Sequence, residues 1–128
     1  MMHLLDTSVL IPLRDGDPEV WERMNQLGGT ILVSIVSVVE LEGGVYRDAS
    51  QAERRRTKLD LLLAGLNVLT FDSESAQTYG QIVASAGYSR RKILDRMIAA
   101  QALNASATLV TLNPQDFEEI TDLQVLGW

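Results

Sequence analysis

The stretch RRKILDRMIAAQAL, residues 90–103, sets a carboxylate on the apolar side of a helix. At helical spacing Asp95 falls beside Leu94, Ile98, Ala99 and Ala102, the residues that the pattern turns toward a core, whereas a solvated acid belongs on the opposite face. An ionised carboxylate loses hydration on burial and needs a proton, a cationic side chain or a metal ion beside it. Arg91 and Lys92 stand one turn before Asp95 and Arg96 adjoins it, so a helical ion pair accounts for one such acid. Metal chemistry requires other acids to arrive at the same place.

On both sides of this helix, short apolar runs alternate with helical patterns. Residues 3–6 read as a strand ending at Asp6, and residues 7–13 turn helical. Asp17-Pro18 opens the next helix, the aspartate as cap and the proline in the first turn, and Gly28-Gly29 stops it. Residues 30–33 form a second strand and 34–48 a helix, in which Gly43-Gly44 suggests close packing or a kink. Residues 49–66 form a helix with Leu59, Leu62, Leu63 and Leu66 on one side and basic residues on the other. Strands at 68–71 and 108–111, a helix at 73–87, a short helix opened by Asn113-Pro114 and an edge strand at 124–126 complete the chain. The alternation predicts a single α/β domain over residues 1–128, with a mainly parallel sheet of about five strands covered on both faces.

Composition narrows the functions. A chain of 128 residues, 46% of them hydrophobic, suits one domain with a real core. No apolar run approaches the ~18 residues that span a bilayer, and MMHLLDTSVLI meets an acid before a signal-peptide core is complete, so a cytoplasmic protein without a membrane partner is expected. Without cysteine and with His3 as the one histidine, any metal must be held by oxygen. The net charge of −6 argues against simple electrostatic adhesion to nucleic acid. Even so, Arg54, Arg55, Arg56 and Lys58 form one basic cluster and Arg90, Arg91 and Lys92 another, each either a rim for RNA or a solvated helix face.

In a parallel sheet ligands bind beyond the carboxyl ends of the strands. Asp6 and the turn at residues 113–116 both lie there, although Asp6 also suits a helix cap and Asn113 with Asp116 has the spacing of a capping box. Glu40 lies among β-branched and small apolar residues in SIVSVVELEGGV, where an unpaired buried glutamate is rare; Glu42 reads as solvated. Together these acids would make an oxygen-rich site suited to Mg²⁺ or Mn²⁺.

The same stretches resemble the PIN-domain ribonucleases and, among them, the VapC-type toxins of bacterial and archaeal toxin–antitoxin modules. LLDTSVLI at 4–11 resembles the family's opening strand and first acid, and VVELEGGV at 38–45 its glutamate helix. RRKILDRMIAAQAL resembles its Asp-x-x-Ile-Ala-Ala helix, and TLVTLNPQDFEEITDLQVLGW at 108–128 its closing strand, Asn-x-x-Asp-Phe turn and terminal tryptophan. The resemblance spans nearly the whole chain and implies a three-layer α/β/α fold. It implies a catalytic triad of Asp6, Glu40 and Asp95 with Asp116 as fourth acid, the metal on Asp6 and Asp95, Ser8 near the first aspartate and Asn113 beside the fourth. It further implies Mg²⁺- or Mn²⁺-dependent cleavage of transfer or ribosomal RNA, pairing as a homodimer, and a VapB-type antitoxin whose tail covers apolar grooves. The leucine-rich helix and Val45-Tyr46 offer such a surface, or serve the core.

Two other classes share the outline. A response-regulator receiver domain has this length and an acid, Asp72, after the third strand, but here one acid rather than a pair follows the first strand and no lysine follows the last two. A catalytically silent acidic α/β binding module is the other.

Overall fold

The apolar runs become strands and the patterned stretches become helices in the computed structural model, which describes residues 1–128. In chain order they are β1 (Met2–Leu5), α1 (Thr7–Asp15), α2 (Pro18–Gln26), β2 (Thr30–Ser34), α3 (Ile35–Tyr46), α4 (Ala52–Ala64), β3 (Asn67–Leu69), α5 (Ser73–Ala86), α6 (Ile93–Ala105), β4 (Thr108–Thr111) and β5 (Val125–Gly127). Tight 3-10 turns at Ala49–Gln51 and Arg90–Lys92 lead into α4 and α6, and a third at Pro114–Phe117 follows β4. The helix predicted over 49–66 is therefore shorter and enters through a separate turn. No helix is long and apolar enough to cross a membrane.

Local chemistry explains the boundaries. Asp17 Oδ1 accepts from the amides of Glu19 and Val20, and Pro18 fills the first turn of α2. Ser34 caps α3 by accepting from Val36 N, and Asp72 caps α5 by accepting from Ser75 N. Gly29 has φ +77°, and a Cβ there would sit 2.0 Å from the Met1 carbonyl oxygen, so only glycine lets the chain pass beneath β1 into β2. By contrast α3 runs unbroken through Gly43-Gly44; a Cβ at Gly43 would meet nothing and one at Gly44 would make ordinary contact with Arg14 Nη1 at 3.7 Å, so close packing does not require glycine at either position.

The sheet has the order β3-β2-β1-β4-β5 and is parallel throughout. Leu4, Leu32 and Leu109 pack on one face with Ile82 of α5 and Ile98, Ala99 and Ala102 of α6. Leu5, Val33 and Val110 pack on the other with Val9, Leu10 and Leu13 of α1, Leu41 and Val45 of α3, and Leu59 and Leu62 of α4. Successive residues of one strand thus feed opposite cores, which is the expected three-layer α/β/α arrangement. The chain builds from β1 outward through β2 to β3, then returns to place β4 on the other side of β1. That reversal opens a crevice at the carboxyl ends of β1 and β4. His3 is buried on the Leu5 face at the opening end of β1, with no partner for Nδ1, and lies at the wrong end of the strand to serve that crevice.

Candidate active site

Asp6 leaves β1 at the crevice and is 4% exposed. It occupies the cap position of α1, yet its side chain makes no cap hydrogen bond. Instead Oδ2 accepts from Ser8 Oγ at 2.8 Å and from Thr111 Oγ1 at 2.8 Å. The amide of Leu112 donates to Ser8 Oγ and that of Asn113 to Thr111 Oγ1, so the backbone leaving β4 holds both hydroxyls with their protons on Asp6. One carboxylate oxygen is saturated by this arrangement, and Oδ1 is left as the free one.

Thr111 was not singled out by the sequence. Its role follows from the register of β1 on β4, which aligns Leu5 with Val110 and so sets Asp6 beside Thr111. Asn113 contributes through its amide only: it precedes the Pro114–Phe117 turn without a side-chain cap bond, so the capping-box explanation of Asn113 and Asp116 fails. Asp116 stands exposed in that turn.

Glu40 departs from its sequence reading, because it is exposed rather than buried in the core. Val36, Leu41 and Val45 turn inward on α3, whereas Glu40 and Val39 are exposed, and Glu40 reaches Thr7 next to Asp6. Its Oε1 accepts from Thr7 Oγ1 at 2.9 Å, and Thr7 Oγ1 lies 2.7 Å from Ser37 Oγ, a fully buried hydroxyl. Partial loss of hydration raises the Glu40 pKa above its ordinary value; the Thr7 hydrogen bond opposes that rise and the Asp6 charge adds to it. Glu42 is held differently, in a bidentate pair with Arg56 at 2.7 and 2.6 Å that keeps its pKa low.

Asp95, in the first turn of α6, is partly buried, and its pKa is pushed up to about 6. Desolvation is the leading cause, followed by the charges of Asp6, Asp116 and Glu40, with Lys92 opposing. Acids from four separate segments therefore share one electrostatic field. The helical ion pair does not form: Arg96, 2% exposed, turns to the Gly87 carbonyl and to Glu119, and Lys92 also pairs with Glu119. Leu94, expected in the core beside Asp95, is 45% exposed, and the fully buried apolar residues of α6 begin at Ile98.

The donor set suits a hard divalent cation. None of Asp6, Glu40, Asp95 and Asp116 takes part in an ion pair, and no three of them stand in ready-made coordinating positions. Mg²⁺ is ordinarily held by one or two carboxylates with the rest of its shell water, so two carboxylates such as those of Asp6 and Asp95 would be enough to hold it.

The basic clusters divide. Arg55 donates to the Gly44 carbonyl and Arg56 bridges Glu42 and Asp60, so both fasten α4 to α3 or to itself rather than face a ligand. Lys92 is taken by Glu119. Arg54, Arg90 and Arg91 are exposed, and Lys58 is half-buried at the edge of α4.

Comparison with known proteins bears on this site. The sequence profile of the PIN domain matches residues 3–123. The chain is 31% identical to ribonuclease VapC1 of Haemophilus influenzae strain R2866, over 100% of this chain and 98% of that protein. It is 28% identical to the tRNA(fMet)-specific endonuclease VapC of Salmonella typhimurium, again over 100% and 98%. Among solved structures, VapBC2 from Rickettsia felis bound to a DNA fragment from their promoter superposes with a TM-score of 0.88 at 27% identity, covering 100% of this chain and 99% of that one.

Proposed function

This chain belongs to the PIN-domain family, among its VapC ribonucleases, and on that premise we propose that it is a divalent-metal-dependent endoribonuclease and the toxin of a toxin–antitoxin pair. The observation that carries the activity is that Asp6, Glu40, Asp95 and Asp116 come from four separate segments and none enters an ion pair; burial and the other three charges, against Lys92, push the Asp95 carboxyl up to about 6.

Asp6 and Asp95 would hold the cation, which when bound would supply positive charge to acidify a water and offset charge on the phosphate and the departing 3′ oxygen. Ser8 and Thr111 fix Asp6 so that Oδ1 rather than Oδ2 faces the ligand. Glu40, steered by Thr7, takes the proton of the attacking water, and the rise of its pKa through lost hydration makes it a stronger base than a solvated carboxylate. Asp116 completes the acidic wall. In-line attack by water leaves 5′-phosphate and 3′-hydroxyl ends.

The relatives' names guide substrate and partner. The Salmonella relative is specific for a transfer RNA, so structured transfer or ribosomal RNA is the proposed substrate class. The Rickettsia structure is a VapBC assembly, and a groove of about 500 Å³ between α1, α2 and α4 suits an apolar antitoxin segment here. Leu13, Trp21, Met24, Leu61, Leu62 and Leu66 line it, and Trp21 Nε1 donates to the Leu13 carbonyl, which fixes the indole as a wall. Pairing as a homodimer is part of the same reading and is measured by sedimentation.

The deciding experiment is end-labelled cleavage of total cellular RNA by purified protein. Discrete cuts with Mn²⁺ that vanish with chelator are expected. Absence of cutting with Mn²⁺, or cutting that survives chelation, defeats the reading.

A further inference from the structure

Tyr88 is 71% exposed in the bend between α5 and α6. Lone exposed rings are common and mean little by themselves. This one stands on a bend that is firmly held. Gly87, immediately before it, has φ +89°, its amide donates to the Val83 carbonyl, and its own carbonyl accepts from Arg96 Nη1. Arg96 is 2% exposed and is itself locked by Glu119, which also takes Lys92. A nearly buried cation thus fixes the backbone that presents the ring. Two and three residues further on, Arg90 and Arg91 are exposed and enter no ion pair. Through the 3-10 turn at Arg90–Lys92 the segment leads into the first turn of α6, which carries Asp95 seven residues after Tyr88.

We propose that Tyr88, Arg90 and Arg91 form a subsite for a single-stranded segment of RNA, in which an unpaired base stacks on the Tyr88 ring and the flanking phosphates lie on the two arginines. It rests on the endoribonuclease reading above and adds the form of the substrate. The acids of the crevice and the net charge of −6 repel a polyanion, so local attraction must come from free cations at the rim, and these two are free. A ring held in place stacks on any base whose face is available, which a loop or bulge offers and a continuous duplex does not. Lys92, tied to Glu119, belongs to the scaffold of this subsite and not to its binding surface.

The test is Mn²⁺-dependent cleavage of an end-labelled single-stranded RNA oligonucleotide and of the same strand annealed to its complement, with kcat and KM measured separately. Tyr88→Ala is expected to raise KM for the single strand by about 5- to 100-fold, the range of one lost base stack, with kcat little changed. Tyr88→Phe and Tyr88→Trp should restore KM to within about twofold, and Arg90→Gln with Arg91→Gln should flatten its salt dependence. An unchanged KM in Tyr88→Ala, while the wild type cuts, overturns the subsite alone. A Tyr88→Phe as impaired as the alanine variant also overturns it, since the ring would then not be what binds. A Tyr88→Ala protein that sediments as a smaller species reassigns the ring to a contact between two copies. Wild-type protein that cuts no RNA overturns the activity, and the subsite with it.

Discussion

Asp95 carries the strongest signature of the site. Its folded pKa of about 6 lies above the value near 4 of an unfolded chain, so the folded state holds that proton more tightly. The carboxyl therefore supports folding fully below about pH 4, loses that support as pH rises toward 6, and opposes the metal-free fold above it. Asp95→Asn keeps the shape and removes the charge. Thermal melts without metal should show little difference at pH 4 and the variant ahead at pH 7 by on the order of 1–2 kcal/mol, discounted for partial exposure. A variant that melts below the wild type at pH 7 would refute the frustrated-site account. At Thr111 the expectation is loss: Thr111→Val strips one donor from Asp6 and the acceptor from Asn113 N, costing about 1–3 kcal/mol, with cleavage down about tenfold and Thr111→Ser close to wild type. Glu42→Gln, by contrast, touches only the Arg56 pair and should cut RNA at near the wild-type rate.

Helix α6 must be docked firmly for Asp95 to face the crevice, and Gln101 does much of that docking. Its Oε1 accepts from Ser34 Oγ at the end of β2, and its Nε2 donates to the carbonyls of Leu69, the last residue of β3, and of Thr70 just beyond it. Gln101→Leu fills similar volume yet takes the acceptor from the fully buried Ser34 hydroxyl and the donor from the two carbonyls. Urea denaturation should show a loss of about 2–3 kcal/mol, with weaker Mn²⁺ binding by calorimetry because the helix that bears Asp95 loosens. Stability and Mn²⁺ affinity equal to wild type would show that apolar packing of Ile98, Ala99 and Ala102 docks α6 unaided. The sequence placed this helix correctly and mistook only its first turn, since the period of 3.6 defines a face without saying where the neighbouring layer begins.

The assembled domain presents two different surfaces, an acidic crevice at the carboxyl ends of β1 and β4 and an apolar groove across α1, α2 and α4. Leu61, 74% exposed on the groove's edge, contributes nothing to either core. Leu61→Glu should therefore fold as the wild type does but fail to co-purify with a co-expressed antitoxin, and cells carrying both genes should grow slowly. Retained co-purification would move the antitoxin to another face. Of the leucines expected either to serve a partner or to fill the core, Leu59 is buried in the core, Leu61 is open, and Leu62 belongs to the core while also lining the groove.

Much of this molecule was legible before any coordinates. The strand-helix alternation, the apolar runs that predict strands buried on two faces, the lack of any ligand but oxygen, and the inward lean of Asp95 are properties of residues a few positions apart, which periodicity reports directly. What needed the tertiary structure was pairing at long range. Arg96 binds Glu119 rather than Asp95, Arg56 binds Glu42, and Thr111 joins Ser8 in donating to Asp6. Asp6 and Thr111 meet across 105 positions only because β4 returns to the side of β1 in one register. A shift of that register by one residue would turn Thr111 to the other face of the sheet, and no local pattern in the sequence encodes that choice.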